Sequence, residues 1–313
     1  MIQHETFIDT IGLQIDLDND VQQQEVLHKL LGFIMNLQPL HVEKRTYSIG
    51  AHNNISKMEH LVCCNMGFVK TVVASVNSGA YAIVDSITKR ETKFYISIQF
   101  AGLKSRNEKK DFLSRMYLDI ICAYLKENNI PLKLNTLDIG IDVLCKFDHM
   151  LTVCTKKTAN TKYHQLGEIQ LYDGETTWIE KFDTNVQIQN ATVRSYYYDK
   201  RAKYFGDFQT DLAYDVTRFE IKLQPKAFQA SFDIKTIREQ FNRYHVMYYP
   251  SVVDKRSKID AYNRYSCIKD REIQRLGFNH YRLYPNIDSI EGFISGLFSI
   301  DAKSVFMYYG VTI

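Results

Sequence analysis

The sequence predicts an α+β protein: a largely antiparallel central sheet with flanking helices, followed by a mainly helical C-terminal part. Three observations predict it. Runs of alternating apolar and polar residues recur up to Leu223 and read as strands. Within that part, helical spacing of apolar residues is found in two stretches, after Asp18 and from Glu108 to Glu127. From about Ser231 onward the pattern turns helical, which sets the fold class and a soft boundary near residue 230. The expected division is therefore 1–230 and 231–313.

Taken in order, Phe7 to Ile15 alternates as a strand, and Asp18-Asn19-Asp20 offers caps for a helix carrying Val26, Leu27, Leu30, Leu31, Ile34 and Met35. Strands are expected at Lys44 to Ile49, Phe68 to Val76, Ala80 to Ile87 and Lys93 to Phe100. The helix from Glu108 to Glu127 presents Phe112, Leu113, Met116, Ile120, Ile121 and Tyr124 as its expected buried stripe. It leads into the strand Leu137 to Val143. Glu168 to Leu171 and Thr176 to Phe182 flank a Tyr172-Asp173-Gly174 turn as a hairpin. Ala191 to Tyr198 and Tyr214 to Leu223 are strands around a polar loop holding Lys203-Tyr204-Phe205-Gly206, and Pro225 closes the strand-rich part. Helices are expected at Ile234 to Tyr244, Lys258 to Leu276 and Ile287 to Phe298.

At 313 residues with 45% hydrophobic content, the chain has room for one large or two ordinary domains with a substantial core. No apolar run has the length of a membrane span, and Met1-Ile2-Gln3-His4-Glu5 does not begin a secretory signal, so a soluble cytoplasmic protein without a membrane partner is expected. The six cysteines lack paired spacing, which argues against a zinc ribbon or a disulfide framework. A net charge of +3 does not itself identify a nucleic-acid binder. Clusters such as Lys200/Arg201/Lys203 and Lys255/Arg256/Lys258, with tyrosines nearby, suit phosphate contact plus base stacking; each alone reads equally well as a solvated face.

The most informative segment is Leu137-Asp138-Ile139-Gly140-Ile141-Asp142-Val143. Strand side chains alternate, so Asp138, Gly140 and Asp142 share one face while the four apolar residues enter the core. Thr217 to Leu223 likewise puts Arg218, Glu220 and Lys222 on one face. Three acids on two strands suit a divalent cation, Mg²⁺ or Mn²⁺, with Asp138, Asp142 and Glu220 as its ligands. Between these strands lies Ser195-Tyr196-Tyr197-Tyr198-Asp199-Lys200-Arg201, with Tyr196 and Tyr198 on the face of Arg194 and Lys200. A phenol of pKa ~10 is a poor nucleophile at neutral pH. A cation on the phosphate and a lysine such as Lys200 beside the phenol would help it attack.

This ordered set, Leu-Asp-Ile-Gly-Ile-Asp at 137–142, Tyr198-Asp199-Lys200 and Arg218-Phe219-Glu220-Ile221, resembles the rolling-circle replication initiators of small plasmids and filamentous phages. Phe7-Ile8-Asp9-Thr10-Ile11 is similar to the first strand of some members, so the resemblance spans residues 5 to 225. It implies an endonuclease that nicks origin DNA, single-stranded or in a hairpin, keeps a 5′-phosphotyrosine link and leaves a free 3′ hydroxyl. Tyr198 would be the nucleophile, with Tyr196 as its replacement on the same face. Asp138 and Glu220 would be metal ligands, Asp142 a further one, and Arg194, Arg201, Lys203, Arg218 and Lys222 the DNA contacts. The sequence departs from the family pattern at Thr136, where an arginine is usual, at Lys222 and Gln99, where plasmid members carry acids, and in having no His-x-His pair. His52, His60 and His164 are the replacement ligands considered.

Two other readings accompany this one. A conjugative relaxase would use the same chemistry, and a non-catalytic origin- or operator-binding protein derived from an initiator would account for Gln99 and Lys222. The bland reading makes Asp138 and Asp142 the solvent face of an edge strand and pairs Glu220 with its own strand's cations. Beyond residue 230, the basic and tyrosine-rich segment suits duplex DNA, a host helicase or a second copy of the chain, and equally suits packing against the sheet.

Overall fold

The computed structural model describes residues 4–48, 56–66, 69–86, 89–147, 150–154, 170–172, 176–178, 193–223, 244–248, 279–282 and 286–311. It is an α+β fold that divides into two compact units. The first is Asp9–Leu137 with Phe293–Ile313, and the second is Met1–Ile8 with Asp138–Gly292. Strands β1 (His4–Leu17) and β6 (Lys133–Val143) each run from one unit into the other. The boundary expected near residue 230 lies outside the described residues.

In the first unit, β2 (Leu40–Ser48), β3 (Ser56–Met66), β4 (Val69–Ser86) and β5 (Lys89–Ala101) form an antiparallel meander that ends on β1. Two helices cover it. Helix α1 (Asp20–Asn36) starts where Asn19 accepts a hydrogen bond from the Gln22 amide (2.8 Å) while Gln22 Oε1 accepts one from the Asp18 amide (3.0 Å). Leu27, Leu30 and Ile34 are buried beneath it as the spacing predicts, whereas Met35 is exposed.

Helix α2 (Glu108–Glu127) has the bounds the periodicity predicts, with Asn107 as its cap. Its buried face keeps Ile120 and Ile121 of the expected stripe but is otherwise rotated from it. Tyr117, Leu118, Ile121, Cys122 and Leu125 are buried, and Phe112 is exposed at its start. Helix α5 (Ala302–Tyr309) packs beside α2, where Phe112 meets the Tyr309 ring edge-on, so a second helix draws aromatic residues away from the sheet face.

The two strands expected at 68–76 and 80–87 are one strand of 18 residues. Gly79 does not break it, because the Tyr95 ring of β5 lies over that glycine, where an added Cβ would sit 2.7 Å from the phenol oxygen. Strand β3, unrecognised in the pattern, fills the place between β2 and β4.

In the second unit, β6 is followed across the sheet by β11 (Thr217–Leu223), β10 (Val193–Asp199), β9 (Thr176–Trp178) and β8 (Gln170–Tyr172). Strands β8 and β9 pair antiparallel, and apart from Tyr172 the expected Tyr172-Asp173-Gly174 turn lies outside the described residues. The stretch read as a polar loop is helix α3 (Lys200–Phe208), because Asp199 caps it by accepting from the Ala202 amide at 3.0 Å. A separate sheet joins β7 (Met150–Cys154), β12 (Tyr244–Tyr248) and β13 (Asn279–Arg282) in the order β13-β12-β7. The part beyond residue 230 thus contains strands as well as helices, since β12 finds its partner some ninety positions earlier in β7. Helix α4 (Ile287–Phe298) has the predicted bounds. The other two helices expected there fall on residues outside the described ones, except Tyr244, which opens β12. Among the described residues, no helix is long and apolar enough to cross a membrane.

Candidate active site

The acidic strand is buried on both faces: every residue from Leu137 to Val143 lies inside the protein. This overturns the solvent-face reading of Asp138 and Asp142. A carboxylate taken out of water needs a cation or several donors, and β11 supplies cations. Arg218 grips Asp142 with two parallel bonds, Nε to Oδ1 at 2.6 Å and Nη2 to Oδ2 at 2.9 Å, both side chains having no exposure. Lys222 Nζ donates to Asp138 Oδ2 at 2.6 Å from a partly exposed position. The numbering runs in opposite senses across these pairs, 142 with 218 and 138 with 222, leaving Gly140 and Glu220 as the middle positions.

Gly140 has a specific reason to be glycine. An added Cβ would lie 2.6 Å from Cζ of Phe7, whose ring occupies that space. The same ring carries the Arg218 guanidinium 4.5 Å from its centroid, a cation held over an aromatic face. Phe7, Gly140, Arg218 and Asp142 thus form one layer in which the small residue admits the ring and the ring supports the cation.

Glu220 faces the tyrosine. Tyr198 stands opposite Arg218 in the β10–β11 ladder, and its phenol donates to Glu220 Oε1 at 2.7 Å. Arg218 Nη1 is 3.9 Å from the same oxygen. Tyr198 is 4% exposed, and Lys203, projecting from α3, places its ammonium 4.8 Å from the ring centroid. Lys200 is buried at the first position of α3, its amide donating to Val216 O at 2.9 Å. On the other face of β10, Tyr197 packs its ring 5.5 Å from that of Phe147, as strand alternation predicts. Cys145 is buried nearby with Sγ 3.9 Å from Thr217 Oγ1; burial pushes its thiol pKa up, and the Thr217 contact pulls it back less strongly.

The expected residues are only partly brought together. Asp138, Asp142, Glu220, Tyr198, Arg218, Lys222, Lys200 and Lys203 all belong to the second unit. Tyr196 and Arg194 pair with Glu220 and Lys222 in the backbone ladder, and their side chains lie outside the described ones. Arg201 is turned to its own loop: it bonds Asp211 through Nε at 2.8 Å and Asp215 through Nη1 at 2.9 Å, which raises its pKa further and lowers that of Asp211. Arg218 is fully buried, so the expected surface contact with DNA is replaced by the interior pair with Asp142.

The acids do not form a shared metal position in this arrangement. Asp138 and Asp142 point to different cations of β11, and Glu220 accepts from the phenol. A Mg²⁺ or Mn²⁺ ion bound by all three would have to displace Lys222 and Arg218, so the residues as placed do not fit the metal. Of the replacement ligands, His60 is buried in β3 of the first unit, where Gln99 lies on β5 opposite Gly12 and Ser75; His52 and His164 lie outside the described residues. Sequence reading missed the role of Phe7 and the internal use of Arg218 and Lys222. Their same-face spacing on β11 was visible, but the strand they would face was not.

No family model and no curated protein matches the sequence. Among solved structures, the chain is similar to a rolling circle replication initiator protein from Geobacillus stearothermophilus. The identity is 12% and the TM-score 0.31, with 88% of this chain and 96% of that chain covered.

Proposed function

We propose that this chain is a DNA-nicking replication initiator of the rolling-circle type, with Tyr198 as nucleophile. The observation that carries this reading is the 2.7 Å hydrogen bond from the Tyr198 phenol to the Glu220 carboxylate. A carboxylate at that distance serves as proton acceptor for an attacking phenol. In the step, Tyr198 Oη forms a bond to phosphorus, the bond from phosphorus to the 3′ oxygen breaks, and Glu220 takes the phenol proton. The leaving oxygen takes a proton from solvent and becomes the free 3′ hydroxyl. Lys203, exposed beside the Tyr198 ring, supplies positive charge for the phosphate. Arg218 and Lys222 position the strands that carry these groups. The origin DNA is the substrate, and a host helicase and a second copy of the chain are the further partners of this reading.

A second reading is favoured by two observations: Tyr198 is 4% exposed, and both acids of β6 are already paired with cations. On that reading the chain binds origin or operator DNA without cutting it, and the polar ladder is structural. A conjugative relaxase would share the first reading's chemistry.

The deciding experiment incubates wild type, Tyr198→Phe and Glu220→Gln with single-stranded DNA of the encoding element, with and without Mn²⁺, and resolves protein–DNA adducts on a denaturing gel. An adduct with wild type that is lost in Tyr198→Phe and reduced in Glu220→Gln supports nicking. DNA binding without an adduct in any protein selects the non-catalytic reading.

A further inference from the structure

A second constellation lies on the edge of the first unit. Strand β2 is the terminal strand of that unit's sheet, and its register with β3 sets His41 directly opposite Cys63. Glu43, two residues on, shares the face of His41. His41 Nε2 is 3.3 Å from Glu43 Oε1, while the other oxygen of Glu43 accepts from Lys70 Nζ at 2.8 Å. One nitrogen, one carboxylate oxygen and one sulfur thus converge, with all three ligand atoms within 4.8 Å of one another. Among the described residues, this is the one group of three such side chains so arranged.

The burial is graded in a useful way. Cys63 is fully buried, whereas His41 and Glu43 are each 39% exposed, so the sulfur forms the floor and the other two the rim of a position open to water. A register shift in the β3–β4 pairing falls between Val62 and Cys63. Such bulges re-aim side chains where a ladder must carry a site.

We infer that His41, Glu43 and Cys63 bind a thiophilic divalent cation of the zinc type, with water in the fourth position. The mixed nitrogen, oxygen and sulfur set suits zinc and disfavours Mg²⁺ or Ca²⁺, which take oxygen ligands. On binding, Cys63 loses its thiol proton to solvent and no electron is transferred. The ion ties the terminal strand to its neighbour, and Lys70 orients Glu43 by holding its second oxygen.

The test uses the full chain titrated with Co²⁺ and then Zn²⁺. Wild type is expected to bind one Co²⁺ with a thiolate-to-cobalt charge-transfer band in the near ultraviolet, which Zn²⁺ abolishes by displacement. His41→Ala should weaken binding by more than about tenfold, as loss of a metal ligand requires. Lys70→Gln should weaken it, but less than His41→Ala does, because it removes only the group that orients Glu43. A folded wild type that shows no thiolate band overturns the proposal. A band that survives unchanged in His41→Ala also overturns it, because the metal then sits on another cysteine.

Discussion

Arg218 and Asp142 form a two-pronged ion pair with no exposure on either side chain, joining residues 76 positions apart in the chain. Removing one partner leaves the other charge buried. Asp142→Asn or Arg218→Met alone should therefore destabilise the protein by about 3–5 kcal/mol in urea unfolding. The double variant Asp142→Leu with Arg218→Met should recover a good part of that loss, since apolar replacement of a whole buried pair is often neutral. Additive losses would refute the pairing.

Lys222, partly exposed, pairs with Asp138 under less demanding conditions. Lys222→Met should cost less stability than Arg218→Met in the same unfolding series, because water reaches the lysine end of the pair. Equal losses would mean that Asp138 depends on Lys222 as fully as Asp142 does on Arg218.

For the tyrosine, loss of the phenol strips a donor from the buried Glu220 carboxylate. Tyr198→Phe should cost about 1–3 kcal/mol by equilibrium unfolding, and Glu220→Gln less, because the amide oxygen still accepts the bond. A Tyr198→Phe variant as stable as wild type would place the hydroxyl elsewhere.

Gly140→Ala should be destabilising by about 1–3 kcal/mol through overpacking against Phe7. Combining it with Phe7→Leu should cost less than the sum of the two single changes, since the smaller side chain yields the space. Strict additivity in that double-mutant cycle would show that ring and glycine do not compete.

His60 gives a pH-dependent prediction. Burial, and to a lesser degree Lys44, hold its pKa below the usual histidine value, and a hydrogen bond with the Val76 backbone opposes them. The unfolded chain thus takes up the proton first as pH falls below about 6.5. Stability is fully present above that pH and declines as pH falls through the lowered folded value. Urea midpoints measured at stepped pH should show this decline in wild type and a shallower one in His60→Gln; parallel profiles would remove His60 from the acid response.

Much of the local structure was legible in the sequence. The bounds of the helices at Glu108–Glu127 and Ile287–Phe298, the cap near Asn19 and the alternation of the acidic strand all follow from short-range spacing and capping chemistry. Strand β3 and the buried face of α2 were not legible, because both are set by neighbours far along the chain. The helix after Asp199 was missed although its cap was in plain view, since its apolar residues, Tyr204, Phe205 and Phe208, are too few to mark a stripe.

By itself, then, the sequence determined which residues share a strand face: Asp138 with Asp142, and Arg218 with Glu220 and Lys222. That follows from the period of two, a property of the backbone alone. The strand face expected to join Tyr198 and Lys200 does not exist, because Lys200 opens helix α3. Only the tertiary structure decided that both faces of the acidic strand are buried, and that its carboxylates meet Arg218 and Lys222. Burial makes a charge seek a partner, but which partner it meets depends on the pairing of strands some eighty residues apart, and no local pattern encodes that register.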